Sequence, residues 1–150
     1  MFKKFLGCVR EYKLPSILTI IFMMLEALIE AIIPFITSQL VNEVRAGAEI
    51  AQILKLGGLL VIMAIISLAC GGTAAFTGAK ASTGFAKNLR HDLFYKVQSF
   101  SFGNIDKFSS SSLVTRMTTD VTNVQMSYMM IIRIAIRAPM LMIFSIIMAY

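Results

Sequence analysis

The sequence predicts an all-α membrane protein whose helices run on past the bilayer, and three observations carry that reading. Of its 150 residues, 57% are apolar and 15% charged, with a mean hydropathy of +0.78, whereas soluble domains hold about 45–50% apolar and about 25% charged residues. Two apolar runs, 16–40 and 56–79, are each long enough to cross a bilayer. Beyond the second run, apolar residues keep recurring at helical spacing through a stretch too polar for lipid. A soluble core of this apolarity would have nothing to cover it, which excludes an ordinary cytoplasmic enzyme domain, a disordered chain and a secreted disulfide scaffold.

The run 16–40 holds about 25 residues and spans roughly 37 Å as a helix, against a hydrocarbon core of about 30 Å, so it crosses with some tilt. It is too long for a signal peptide, and no small-residue cleavage site ends it. Upstream, within 1–14, Phe2, Phe5, Leu6 and Val9 share a face opposite Lys3, Lys4, Arg10 and Lys13, the pattern of an interfacial elbow helix. In and after 56–79, small side chains form two stripes, Gly71, Ala75, Ala79, Thr83 and Ala74, Gly78, Ser82, Ala86, which admit close helix approach. Charge sets the orientation. Cations cluster before the first run and through 80–137, while the loop 41–55 carries only Arg45 and Lys55. The positive-inside rule then places the N-terminus and 80–137 in the cytoplasm of a multi-pass protein of the plasma (inner) membrane. The lipid bilayer, not nucleic acid, is the partner that the net charge of +6 implies.

No catalytic constellation emerges. Cys8 and Cys70 lack the paired spacing of a zinc or redox site and read as lone thiols. Gly72 to Lys80 resembles a phosphate loop superficially, but five residues separate its glycines and Ala79 follows the second, whereas the motif needs four and then Lys. His91 is the single histidine and reads as a surface or interface residue. No residue is expected to catalyse a reaction or to bind metal or cofactor, and the sequence holds no ATPase motif.

Glu26 and Glu30 are the carboxylates inside a span, one turn apart on one face. An ionised carboxylate at mid-membrane costs about 2.5–3.5 kcal/mol on insertion scales, so each should face a watery cavity, a cationic partner or the bundle interior. They are candidate substrate-cavity residues that would attract a cationic or amphipathic substrate; the alternative is that they pair with polar groups on spans outside this sequence. Arg133 and Arg137, also one turn apart, are expected to snorkel to the interface. Pro34 and Pro139 lie in apolar runs and should kink them.

From Lys80 onward Phe85, Leu89, Leu93, Val97 and Phe100 recur every three or four positions, and after a turn rich in Gly and Ser, Leu113, Met117, Val121, Val124 and Tyr128 mark a second helical face. Arms of this size reach roughly 30–40 Å from the membrane. A helical hairpin with a polar tip is built to touch something away from the bilayer.

Here the sequence resembles the membrane domains of exporter-type ABC transporters with six spans per subunit. The resemblance rests on LRHDLF at 89–94, Ile105-Asp106, and SSLVTRMTTDVTNVQ at 111–125, with Asp106 ten residues before Arg116; the family reads like LRxxLF, FFD and TGELxSRLTxDVxxVQ. Ser111-Ser112 stand where Gly-Glu is usual, and Asn104-Ile105 replaces paired aromatics. The resemblance implies the N-terminal half of a six-helix transmembrane domain: an elbow helix (1–14), first span (16–40), second span (56–79), intracellular hairpin (80–137) and start of a third span (138–150). It implies a coupling helix near 102–109, where Phe102, Ile105 and Phe108 enter a groove on a nucleotide-binding domain and Asp106 and Lys107 make polar contacts or cap the helix. ATP and Mg would be bound by that partner domain, which follows the sixth span or is a separate polypeptide. A second transmembrane subunit, identical or not, would complete the path for multidrug, lipid or peptide export.

The last 13 residues, 138–150, give about 20 Å of helix, too little to cross, so a partial membrane domain is expected. Two other readings stay open: a small proton-coupled multidrug carrier using Glu26 or Glu30, and a non-transporting membrane piece that modulates an exporter. Neither explains a cytoplasmic hairpin of this length as directly.

Overall fold

A computed structural model describes residues 7–99 and 110–149. A 3₁₀ turn (Arg10–Tyr12) leads into α1 (Lys13–Arg45), followed by α2 (Ile50–Gln98), α3 (Ser110–Thr115), a π-helical turn (Arg116–Asp120) and α4 (Val121–Ala149). No strand occurs among the described residues. Three stretches, Arg10–Arg45, Ile50–Gln98 and Ser112–Met148, are long and apolar enough to cross a membrane. The architecture is thus all-α and multi-pass.

The helices outrun the apolar runs. α1 continues to Arg45 because Asn42, Glu43 and Arg45 are acceptable helix residues once outside lipid, and it stops where Gly47 adopts φ 72°. The N–H of Ala48 bonds to Glu43 O at 3.1 Å and that of Gly47 to Val44 O at 3.2 Å, a Schellman closure of the last carbonyls. The tight turn at 46–49 is therefore shorter than the hydropathy pattern suggests. α2 is 49 residues long, roughly 74 Å at about 1.5 Å per residue and more than twice the thickness of a hydrocarbon core.

The packed core sits where α2 passes from its apolar half into its extension. One small-residue stripe, Ala74, Gly78, Ser82 and Ala86, is buried, together with Ala81, Gly84, Phe85 and Asn88. It faces Ser16, Thr19, Met23 and Ala27 of α1. The Thr19 hydroxyl donates to Thr77 Oγ1 at 2.9 Å, and a β-carbon at Gly78 would stand 3.3 Å from Thr19 Cγ2. Without a hydrophobic force between helices in lipid, such close contact and interhelical hydrogen bonding hold the pair. The arm halves match their apolar faces: Phe85 and Val121 are buried and Leu89, Val124 and Tyr128 half-buried, while Thr118, Thr119, Asp120, Thr122 and Asn123 are exposed.

Gly84 is the tightest contact in this core. A β-carbon there would run into the Tyr12 ring, whereas one at Gly72 meets nothing within 4 Å. Gly84→Ala is expected to destabilise the bundle by about 1–3 kcal/mol. Gly72→Ala should leave the thermal midpoint in detergent unchanged, and equal midpoints for the two variants would refute this packing.

Candidate functional site

Glu26 and Glu30 lie on α1, ten and fourteen residues past Ser16, and so bracket the middle of the apolar run. Across from them α4 brings in Arg137. Its Nη2 donates to both Glu30 carboxylate oxygens at 2.7 Å, and its Nη1 stands 3.8 Å from Glu26 Oε1. Glu26 is the more enclosed carboxylate; its Oε1 would lie 2.6 Å from a β-carbon at Gly71, so the side chain rests on the bare backbone of α2. Its Oε2 is buried and has no hydrogen-bond partner among the described residues. The cluster thereby joins α1 to α4 by charge and rests on α2 by packing, at a depth where an unpaired carboxylate is expensive.

Arg137 thus turns inward instead of snorkelling. Two carboxylates lie within its reach, and a charge-assisted bidentate contact is stronger than a neutral hydrogen bond at the interface. The sequence shows the matched one-turn spacings of the two Glu and the two Arg, but not that α1 and α4 are neighbours, so the pairing was not legible.

Arg133, one turn earlier on α4, stays apart. Its Cδ would lie 3.9 Å from a β-carbon on Gly78, so its stem passes beside α2 at ordinary contact distance. With Met23, Met126, Met129, Met130 and Ile134 it lines a cavity of about 440 Å³ between α1 and α4.

A second cluster ties the N-terminal segment to the long arm. Arg10 Nη2 donates to both oxygens of Asp92, at 3.0 and 3.2 Å, and Asn88 Nδ2 donates to Cys8 O at 2.9 Å. Cys8 and Val9 pack on Phe85, whose ring stacks on Tyr128 at 4.6 Å between centroids. Tyr128 also shares a 2.9 Å hydrogen bond with Ser16. Arg10 has φ 36°, a conformation that costs a non-glycine residue energy and that the bonds to Asp92 help hold. Residues 1–6 of the expected elbow lie outside the described residues; at 8–12 the chain turns, and Val9 points at the arm.

Burial first, then the Asp92 carboxylate and its hydrogen bond, push the Cys8 thiol above its ordinary pKa, with Arg10 opposing. The folded clamp therefore favours the neutral thiol. Its contribution is complete below the ordinary thiol range and fades as pH rises through the raised value. In a Cys70→Ser background, Cys8 should alkylate more slowly at pH 8 than a free thiol, and Asp92→Asn should speed it. Equal rates for the two would contradict the electrostatic coupling.

The expected tip residues, Phe102, Ile105, Asp106, Lys107 and Phe108, lie outside the described residues. What is described on either side is the end of α2 at Gln98 and the start of α3 at Ser110. His91 is exposed, with Nδ1 3.6 Å from Asp92 Oδ1. Gly72 to Lys80 sits wholly within α2, so its glycines form helix rather than a phosphate cradle.

Three long helices, an ion cluster within the apolar layer and an extension far longer than a loop are features of a multi-pass membrane protein. The family model for the ABC transporter transmembrane region matches residues 16–150, and the chain belongs to that family. It is 31% identical over 139 residues to YfiB, an uncharacterised ABC transporter ATP-binding protein of Bacillus subtilis, covering 93% of this chain and 24% of that protein. It is 24% identical over 141 residues to an uncharacterised ABC transporter ATP-binding protein of Mycobacterium tuberculosis, covering 94% and 24%. The chain thus spans about a quarter of the length of these curated relatives.

Proposed function

We propose that this chain is the leading part of the membrane domain of an ATP-driven exporter in the plasma membrane, with its N-terminus in the cytoplasm. The single observation that carries the proposal is α2, unbroken over 49 residues, since an arm that continues as helix for roughly 30 Å beyond the bilayer transmits motion that a flexible loop would absorb. Family membership and relatives named as ATP-binding proteins support a nucleotide-binding partner. In this reading residues 102–109 form the coupling helix. Phe102, Ile105 and Phe108 dock on the partner domain, with Asp106 and Lys107 at the rim. ATP and Mg are held there, and a second transmembrane subunit, the same or different, closes the path. Closure of paired nucleotide-binding domains moves the hairpins and switches the cavity between inward-facing and outward-facing states. Glu26 and Glu30, tied to Arg137, are candidate residues of that translocation path, apart from the smaller cavity that Arg133 lines; substrates of the multidrug, lipid or peptide type fit the family.

Inside-out vesicles carrying the full-length transporter test this. Uptake of an exported dye should require hydrolysable ATP and survive a protonophore. Uptake that a protonophore abolishes and ATP does not drive would favour a proton-coupled carrier instead.

A further inference from the structure

Glu26 and Glu30 suggest from sequence a cavity that attracts cations, yet the charges facing the open cavity are of the other sign. Both carboxylates are turned toward Arg137, and neither lines the cavity of about 440 Å³, whose charged lining is Arg133 and Arg137. Arg137 is committed to Glu30. Arg133 has no ion-pair or hydrogen-bond partner among the described residues, and its stem passes beside Gly78 of α2. A guanidinium in a membrane domain is costly unless it meets an anion or water. Around it stand Met23, Met126, Met129 and Met130, long flexible side chains that adapt to apolar ligands of varied shape. The volume lies in the range of small-molecule sites, about 300–1,000 Å³, and toward its lower end, which suits a single-chain molecule.

We infer that this open cleft binds an amphipathic anion, a single apolar chain bearing a phosphate or carboxylate head, with Arg133 receiving the head and the methionines lying along the chain. A guanidinium recognises either head through paired N–H donors. The inference names a substrate class for the proposed exporter and rests on that reading for its role in transport, but binding itself does not depend on ATP.

The test uses the full-length transporter in nanodiscs of neutral lipid, with displacement of a dansylated fatty acid as readout. Dodecyl phosphate and dodecanoate should displace the probe; dodecyltrimethylammonium and inorganic phosphate should not. Arg133→Gln should weaken dodecyl phosphate binding at least tenfold, and Arg133→Lys, which keeps the charge, should weaken it less. Matching thermal midpoints for the two variants show that the loss is not unfolding. Equal competition by the cation, or unchanged binding in Arg133→Gln, overturns the inference. So does probe binding that disappears when the nanodiscs contain phosphatidylglycerol, because the site then belongs to a bilayer phospholipid. Binding as expected without ATP-dependent transport would leave this site standing and remove the exporter reading; transport without binding would do the reverse.

Discussion

Arg137→Gln is expected to cost about 2–5 kcal/mol of stability, because it strands Glu30, and with it Glu26, in the apolar layer without a cation. The effect is large because the charges left behind must be desolvated alone. About a third of the Arg137 and Glu30 side-chain surfaces remains exposed, which moderates the figure, but Glu26 is only 13% exposed and its Oε2 already lacks a partner among the described residues. Removing the acid as well should reverse part of the damage: Arg137→Gln with Glu30→Gln replaces both ions by neutral amides and should be more stable than Arg137→Gln alone. Thermal midpoints of the single and double variants in detergent check this. Strictly additive losses would mean that the 2.7 Å contacts do not couple the residues.

The second large effect concerns the tip. Phe102→Ala, Ile105→Ala and Phe108→Ala together should reduce ATP-driven transport at least tenfold while leaving membrane insertion and thermal midpoint near those of the parent. Apolar anchors at the centre of an interface commonly carry 2 kcal/mol or more each, and 1.4 kcal/mol is about tenfold in an equilibrium constant. ATP hydrolysis should persist in the partner domain but lose its stimulation by substrate. Asp106→Ala, at the rim, should act more weakly. A triple variant that transports normally would place the coupling elsewhere in the chain.

Much of the fold was legible because lipid imposes simple rules. The runs 16–40 and 56–79 show two crossings, and the recurrence of Phe85, Leu89, Leu93 and Val97 shows that the second helix does not stop at the membrane. Where hydropathy and helix diverge, as at residues 41–45, the pattern reports only the edge of the apolar layer, while Gly47 reports the end of the helix. The π turn at Arg116–Asp120 was hidden, although the steps from Leu113 to Met117 to Val121 hint at it. Two successive four-residue steps drift by about 40° each on an α-helix, and a wider turn restores the face. The ion cluster was half legible. Charges in a span demand partners, but the identity of the partner is a tertiary fact, fixed by α1 lying against α4. The same holds for the clamp, since nothing local in Cys8, Arg10 or Asn88 announces that they meet at the base of the arm.

In the proposed mechanism the hairpin takes up its motion from a nucleotide-binding domain through residues 102–109. A photo-crosslinking amino acid placed at Ile105 of the assembled transporter in native membranes tests it most directly. An adduct is expected whose partner peptide, identified by mass spectrometry, comes from the nucleotide-binding domain, and whose yield changes when ATP is trapped. Adducts confined to other intracellular loops of the membrane domain, with none to a nucleotide-binding domain in either nucleotide state, would contradict it.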